Sequence, residues 1–379
     1  MNRIDETKLK WKLDETFKAD IASGRVGGIG AAVAQDGHLI YNSSFSNEEI
    51  GINVSSRTLF RLASMTKPIT AIAVLTLVER GLIGLDDPVG KYIPGFNRMN
   101  VGRMSENGLE IIGEAKRKIT VRHLLSHSSG LGSGPVGNYV AAEFPVAERK
   151  SLEQVVKYYE CVPLDFEPYT RQAYSGVFAF DVLGRIVELV SEMSFDRFLQ
   201  KNIFEPLSMT DTVFTPNEEQ WSRMVPMHTY ENGKGTIVPF PEESVFEGIP
   251  ANCFCAGAGL ASTLEDYMKF GSMLLNGGKH EGGRIVGERM VGEMSAPQLP
   301  PEIMNGPEVW GLGVRVIMDK PQNILPRGCF GWSGAYGGHF WIDPQNRIVA
   351  VYLKNSKFDG GSGAQTARAF EKNVYASIE

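Results

Sequence analysis

The sequence contains no uninterrupted apolar run of about 18 residues, the length a membrane-spanning helix needs. Its opening, MNRIDETKLKWKLDETFKADIASG, is charged throughout and lacks the apolar stretch of a signal peptide. Cysteine is scarce. Cys161, Cys253, Cys255 and Cys329 are the only four in 379 residues, too few and too scattered for a disulfide framework. A reduced, cytoplasmic enzyme is the simplest expectation. Cys253 and Cys255 form a C-x-C pair, but no nearby His or Cys cluster completes four ligands, so neither metal nor cofactor is expected. No sign of charge dominates: 38 basic and 44 acidic residues are mixed along the chain, for a net charge of −6. That balance offers nothing to nucleic acid or to an anionic membrane. Hydrophobic residues at 42% and charged residues at 22% exclude disorder, and no repeat or low-complexity tract stands out. What the chain has in excess is glycine, 42 of 379 residues, about 11% against a usual ~7%. Many tight turns or close backbone approaches are implied.

Residues 7–23 read as an amphipathic helix, because Leu9, Leu13, Phe17 and Ile21 recur at every fourth position. In GGIGAAVAQDGHLIYNSSF, two apolar runs flank Asp36-Gly37, the signature of a two-residue hairpin turn. The segment SMTKPITAIAVLTLVERG predicts a helix from about Ser64 to Gly81 that is apolar on most sides and therefore buried. From about 82 to 240 helical periodicity alternates with irregular loops, and few strands are expected. After 250 strands return, in VWGLGVRVI, CFGWSG, HFWIDP and RIVAVYL. One helix intervenes, STLEDYMKFGSMLL, where Ser262 with Glu265 three residues on reads as a capping box. AQTARAFEKNVYASI closes the chain as a helix. The pattern predicts an α+β fold: an antiparallel sheet with N- and C-terminal helices, interrupted by a mainly helical region. The expected division is a discontinuous sheet domain, 1–81 and 241–379, and a helical domain, 82–240.

Within SMTKP, Ser64 and Lys67 lie one turn apart on one helix face. Serine is a weak nucleophile until its proton is taken, and a lysine takes it only when burial or positive potential favours the free amine. Pro68 fits the first turn of a helix, where backbone N–H groups lack intrahelical partners. Those N–H groups are also where an oxyanion could sit. S-x-x-K alone is a short pattern, so a second proton carrier and a second oxyanion donor are needed. Tyr174, in RQAYSGVFAFDVLG, stands on a loop just before a helix and supplies a phenol. Trp332-Ser333-Gly334, in GWSGAYGGHFWIDP, stands at a strand, with small residues that admit a substrate to the backbone.

Taken in this order, the three motifs resemble the serine β-lactamase and penicillin-binding protein superfamily, and within it the class C β-lactamase-like esterases, the family VIII carboxylesterases. SMTK matches S-x-x-K, YSG stands where the tyrosine motif belongs, and WSG stands where β-lactamases have Lys-Thr-Gly. LDDPVGKYIPGF, ITVRHLLSHSSGL and GAGLASTLEDYMKFGSMLLNGG extend the resemblance from about residue 10 to the C-terminus. It implies a β-lactamase-like fold, Ser64 as the acyl-forming nucleophile, and Lys67 and Tyr174 sharing the general acid and base roles. It also implies an oxyanion hole from the Ser64 and Ala335 N–H groups. The chain departs from the pattern at Trp332, which cannot pair with a substrate carboxylate as lysine does, and at Gly176, where asparagine is usual. A small neutral ester or acyl substrate is therefore expected, with Trp332, Ser333, Gly334 and Tyr336 at the substrate and Trp310 and Trp341 as further candidates for the pocket wall. Acyl transfer on the same site, or β-lactam or D-alanyl peptide hydrolysis, are the alternatives, and the oligomeric state stays open. GWSGA nearly matches G-x-S-x-G, but Ala335 replaces the last glycine and an apolar strand follows, so Ser333 is not expected to be the nucleophile. His127 is open to two readings, a partner for a serine or a brace for its loop. His339 is equally open between pocket wall and structural residue.

Overall fold

The computed structural model describes residues 3–304, 309–319 and 323–379. Helix α1 (Glu6–Ala22) opens on Asp5, whose carboxylate accepts the Lys8 N–H at 2.9 Å and so caps the first turn. It buries Leu9, Leu13 and Phe17, the fourth-position series. Strands β1 (Gly28–Gln35) and β2 (His38–Ser46) follow as a hairpin. Asp36 and Gly37 both take left-handed φ, 53° and 81°, as the twist of a two-residue turn requires. Helix α2 (Thr66–Glu79) is buried on every side along its first twelve residues.

The stretch predicted to be poor in strands holds two hairpins. They are β3 (Asn100–Ser105) with β4 (Gly108–Glu114), and β5 (His228–Glu231) with β6 (Lys234–Ile237). Between them runs α3 (Phe178–Ser191), packed on α2. Helix α4 (Leu264–Leu275) is capped by Thr263, which accepts the Asp266 N–H at 3.2 Å. The expected cap at Ser262 is thus one residue early, because Ser262 is held in a short strand pair with Phe60. The elements that complete the frame are β7 (Val309–Trp310), β8 (Arg315–Val316), β9 (Phe330–Ser333), β10 (His339–Asp343), β11 (Ile348–Leu353) and α5 (Gln365–Tyr375), beside shorter helices and strand pairs.

One antiparallel sheet of seven strands, in the order β7-β8-β9-β10-β11-β1-β2, is the frame. Its N-terminal hairpin is stitched to the C-terminal strands by β1–β11 pairing, from Gly30↔Leu353 to Gln35↔Ile348. β1 and β11 are buried along their whole length, as strands covered on both faces must be. One face packs under α1 and α5, where Phe17 meets the rings of Tyr41, Phe45, Tyr352 and Phe370. The other face packs on α2 and α4, and that apolar cluster continues without a break into residues 83–249. Among the described residues no helix is long and apolar enough to cross a membrane.

Candidate active site

The chain enters α2 through a strained turn. Ala63 adopts φ 45°, a left-handed value that a residue with a Cβ holds only when its surroundings fix it. Ala63–Met65 then form one 3-10 turn, so Ser64 stands just before the α-helix and Pro68 is its third residue. The turn is tied to the segment 256–260. Leu62 N–H donates to Leu260 O at 2.9 Å, Leu260 N–H to Thr66 Oγ1 at 3.2 Å, and Thr70 Oγ1 to Ala256 O at 2.7 Å. Tyr267 hydroxyl donates to the Met65 carbonyl at 2.8 Å.

Lys67 is fully buried, and its Nζ donates to three oxygens: Ser64 Oγ at 3.1 Å, Gly176 O at 2.6 Å and Gly257 O at 2.9 Å. Three acceptors match the three donors of an ammonium. Tyr174 reaches the same serine from the loop before α3, with its hydroxyl 2.6 Å from Ser64 Oγ. Lys67 Nζ lies 4.9 Å from the centroid of the Tyr174 ring. Tyr174 is 36% exposed, so this corner of the site opens to solvent.

The end of β9 forms the opposite wall. Gly334 lies so close to the Ser64 turn that a Cβ there would strike the Leu62 carbonyl oxygen, which is why only glycine fits. Ala335 follows on a turn closed by hydrogen bonds from Gly334 N–H to Gly338 O at 2.7 Å and from Gly337 N–H to Gly334 O at 2.9 Å. Among the described residues, neither the Ser64 nor the Ala335 backbone N–H has a hydrogen-bond partner.

Trp332 is 4% exposed and packs against Tyr174 and Trp310, with ring centroids 5.3 and 4.4 Å away. Its Nε1–H points at the Tyr174 hydroxyl, 3.4 Å away. Two other residues expected at the substrate present their side chains elsewhere. Ser333 faces the α5 side of the sheet, since strand neighbours alternate; it is 3% exposed, with Oγ 2.8 Å from His339 Nδ1. His339 Nε2 in turn meets Glu371 Oε1 at 3.0 Å. This Ser–His–Glu chain is buried, which leaves its serine no room for a substrate. Tyr336 is 2% exposed, packed by Phe240 and Phe246, with its hydroxyl donating to Glu247 Oε1 at 2.8 Å. Trp341 lies in the α1–α5 layer against Phe370, not at the site.

Sequence reasoning missed three contributors: the carbonyls of Gly176 and Gly257, which no side chain marks, and Asp181 behind them. Asp181 Oδ1 accepts the Ala256 N–H at 2.8 Å and so holds the segment that offers Gly257 O to Lys67. Burial pushes its carboxyl up from 3.8 to about 6, against the lowering effect of Arg149 and of the Ala256 N–H. A lone acid inside the apolar run FAFDVLG was the available signal.

Known proteins resemble the chain over most of its length. Esterase EstB of Burkholderia gladioli is 28% identical over 401 residues, covering 98% of this chain and 97% of EstB. The acyltransferase calJ of Penicillium decumbens is 26% identical over 85% of this chain and 81% of its own. The solved structure of EstCE1, described as a hydrolase with promiscuous acyltransferase activity, superposes with a TM-score of 0.81 at 24% identity, covering 98% of this chain and 99% of that one. The fold is accordingly β-lactamase-like, the helices and antiparallel sheet described above. A sequence model of the Beta-lactamase family matches residues 13–372, and the chain therefore belongs to the Beta-lactamase family, as a serine hydrolase.

Proposed function

We propose that the protein cleaves small carboxylic esters through an acyl-enzyme on Ser64. The observation that carries this reading is the convergence on one oxygen: Ser64 Oγ lies 3.1 Å from Lys67 Nζ and 2.6 Å from the Tyr174 hydroxyl. In this scheme the Lys67–Tyr174 pair reacts with one proton fewer than an ammonium and a hydroxyl carry together. Ser64 Oγ attacks the ester carbonyl and forms the C–O bond while its proton passes to that open site on the pair. The negative charge that develops on the carbonyl oxygen is met by the Ser64 and Ala335 N–H groups. Collapse breaks the bond to the alcohol, which leaves with the proton returned by Tyr174. Water then enters by the same route in reverse and releases the acid.

Trp332 supports an ester over a β-lactam. Where a cation would hold a substrate carboxylate, this site has a neutral indole turned toward the tyrosine hydroxyl. Acyl transfer to an alcohol is the second reading, favoured by the similarity to the calJ acyltransferase. It shares the first half-reaction and differs only in what attacks the acyl-enzyme.

The test is a panel of p-nitrophenyl esters and a chromogenic cephalosporin, with Ser64→Ala as control, followed by mass spectrometry after fluorophosphonate treatment. Ester turnover that vanishes in Ser64→Ala, and an adduct on the Ser64 peptide, are expected. An adduct on Ser333 contradicts the scheme. Adding a small alcohol and weighing new ester against free acid separates transfer from hydrolysis.

A further inference from the structure

We propose that His127 is a positioning residue that clamps the Tyr174 loop from both sides and so sets the phenol on Ser64. The inference rests on the reading of Tyr174 as a proton carrier. The His127 carbonyl accepts the Ala173 N–H at 2.8 Å, and its ring Nδ1 accepts the Ser175 N–H at 3.1 Å. The two donors flank Tyr174 in sequence, so one residue pins both of its peptide neighbours. The imidazole also packs on the phenol itself, with centroids 4.7 Å apart. A loop held at 173 and 175 and stacked at 174 has little freedom left to swing its hydroxyl off the serine. His127 needs φ 55° to present carbonyl and ring to the same three residues, a strained conformation.

The same geometry removes His127 from the role of a base. Its Nδ1 accepts from a backbone N–H, so the ring proton sits on Nε2, and the one basic nitrogen is already taken. Nε2 has no hydrogen-bond partner among the described residues, and Trp310 stands T-shaped to the ring at 4.2 Å. Protonating Nδ1 would set two N–H groups face to face. Full burial, and then the positive charge of Lys67, hold the imidazole well below its usual range, so the clamp stays neutral.

The test compares His127→Asn and His127→Leu in the wild-type and Tyr174→Phe backgrounds, on a p-nitrophenyl ester. Asparagine places an oxygen near the position of Nδ1 and tolerates a left-handed backbone, whereas leucine offers no acceptor. His127→Leu is expected to lower kcat roughly 10- to 100-fold, the scale of a misplaced catalytic group, with KM changed less than about threefold. His127→Asn is expected to recover most of that loss. In Tyr174→Phe, His127→Leu is expected to cost less than about twofold, because no hydroxyl remains to be placed. Should His127→Leu not fold, His127→Gln replaces it, since its acceptor sits one bond too far out. Equal losses in both backgrounds, or Asn no better than Leu or Gln, overturn the clamp. Full turnover in Tyr174→Phe overturns the proton-carrier reading and the clamp with it. A loss in Tyr174→Phe beside none in His127→Leu overturns the clamp alone.

Discussion

At Trp332 a single side chain carries the proposed preference for esters over β-lactams. Its indole N–H lies 3.4 Å from the Tyr174 hydroxyl, a long hydrogen bond in a buried place. Trp332→Phe keeps the ring and loses the N–H, and is expected to lower kcat/KM for esters about two- to tenfold, from about 0.5–1.5 kcal/mol. Trp332→Lys sets a second ammonium beside the Lys67–Tyr174 pair and is expected to cost more. Wild-type hydrolysis of a cephalosporin is expected to be weaker than that of a good ester, since a charge-assisted bond of roughly 1.5–3 kcal/mol is missing. Ester kinetics unchanged in Trp332→Lys contradict this account. Asp181 makes a different prediction. Its folded carboxyl titrates at about 6 and the free side chain at 3.8. Between these values the folded chain holds a proton that the unfolded chain has released, so stability falls as pH rises from about 4 to 6. The whole effect is about 3 kcal/mol. Asp181→Asn keeps an oxygen for the Ala256 N–H and is expected to flatten Tm against pH across that window; a parallel curve contradicts it.

Gly334→Ala and Phe17→Ala should separate activity from stability, because the elements they belong to have separate duties. A methyl on Gly334 strikes the Leu62 carbonyl and pushes the end of β9 off the Ser64 turn. Turnover is expected to fall on the order of 10²-fold, as small displacements at reacting groups do. Phe17 is fully buried in the far layer, and Phe17→Ala is expected to cost about 3–5 kcal/mol of stability while kcat of the surviving fold holds. Urea titration beside kcat for both variants checks the pair, and a crossed outcome contradicts it. The sequence made the elements with strong periodicity readable. Leu9, Leu13 and Phe17 declared α1, and Asp36-Gly37 declared the first hairpin. Asn232-Gly233 sends the same signal between β5 and β6, with φ 53° and 78°, but its short, polar strands hid it. The β3–β4 pair was hidden for a different reason: Ile111 and Ile112 of β4 are adjacent and both exposed, beside a register shift at Val101/Gly102, so no apolar alternation marks a buried face. At the site, side chains with chemistry of their own could be read, as Ser64, Lys67 and Tyr174 were. The carbonyls of Gly176 and Gly257 could not, because every residue has one. The sequence predicts Ser333 at the substrate from the WSG motif and Tyr336 there as an aromatic wall of the pocket. Strand alternation turns the first away, and the Glu247 hydrogen bond holds the second in the core.

For the whole molecule, the sheet is joined across its interior by the two strands most distant in sequence, β1 and β11. A chain ended after Asp343 lacks β11, so β1 keeps only β2 as a partner and β10 becomes an edge. Such a fragment is expected to be protease-sensitive and inactive, and a compact protected core in limited proteolysis would contradict this. Contacts of such long sequence separation form slowly, since loop closure precedes any gain from pairing. During synthesis the β1–β2 hairpin emerges first and then waits for Ile348–Leu353, roughly 300 residues later. At about 5–20 residues per second the ribosome takes on the order of 15–60 s to deliver them. Throughout that interval β1, eight residues of GIGAAVAQ meant for the centre of a sheet, has one open flank. The growing chain is therefore most in need of a chaperone while Ser64 has already been made and the β9 strand that ends beside it has not.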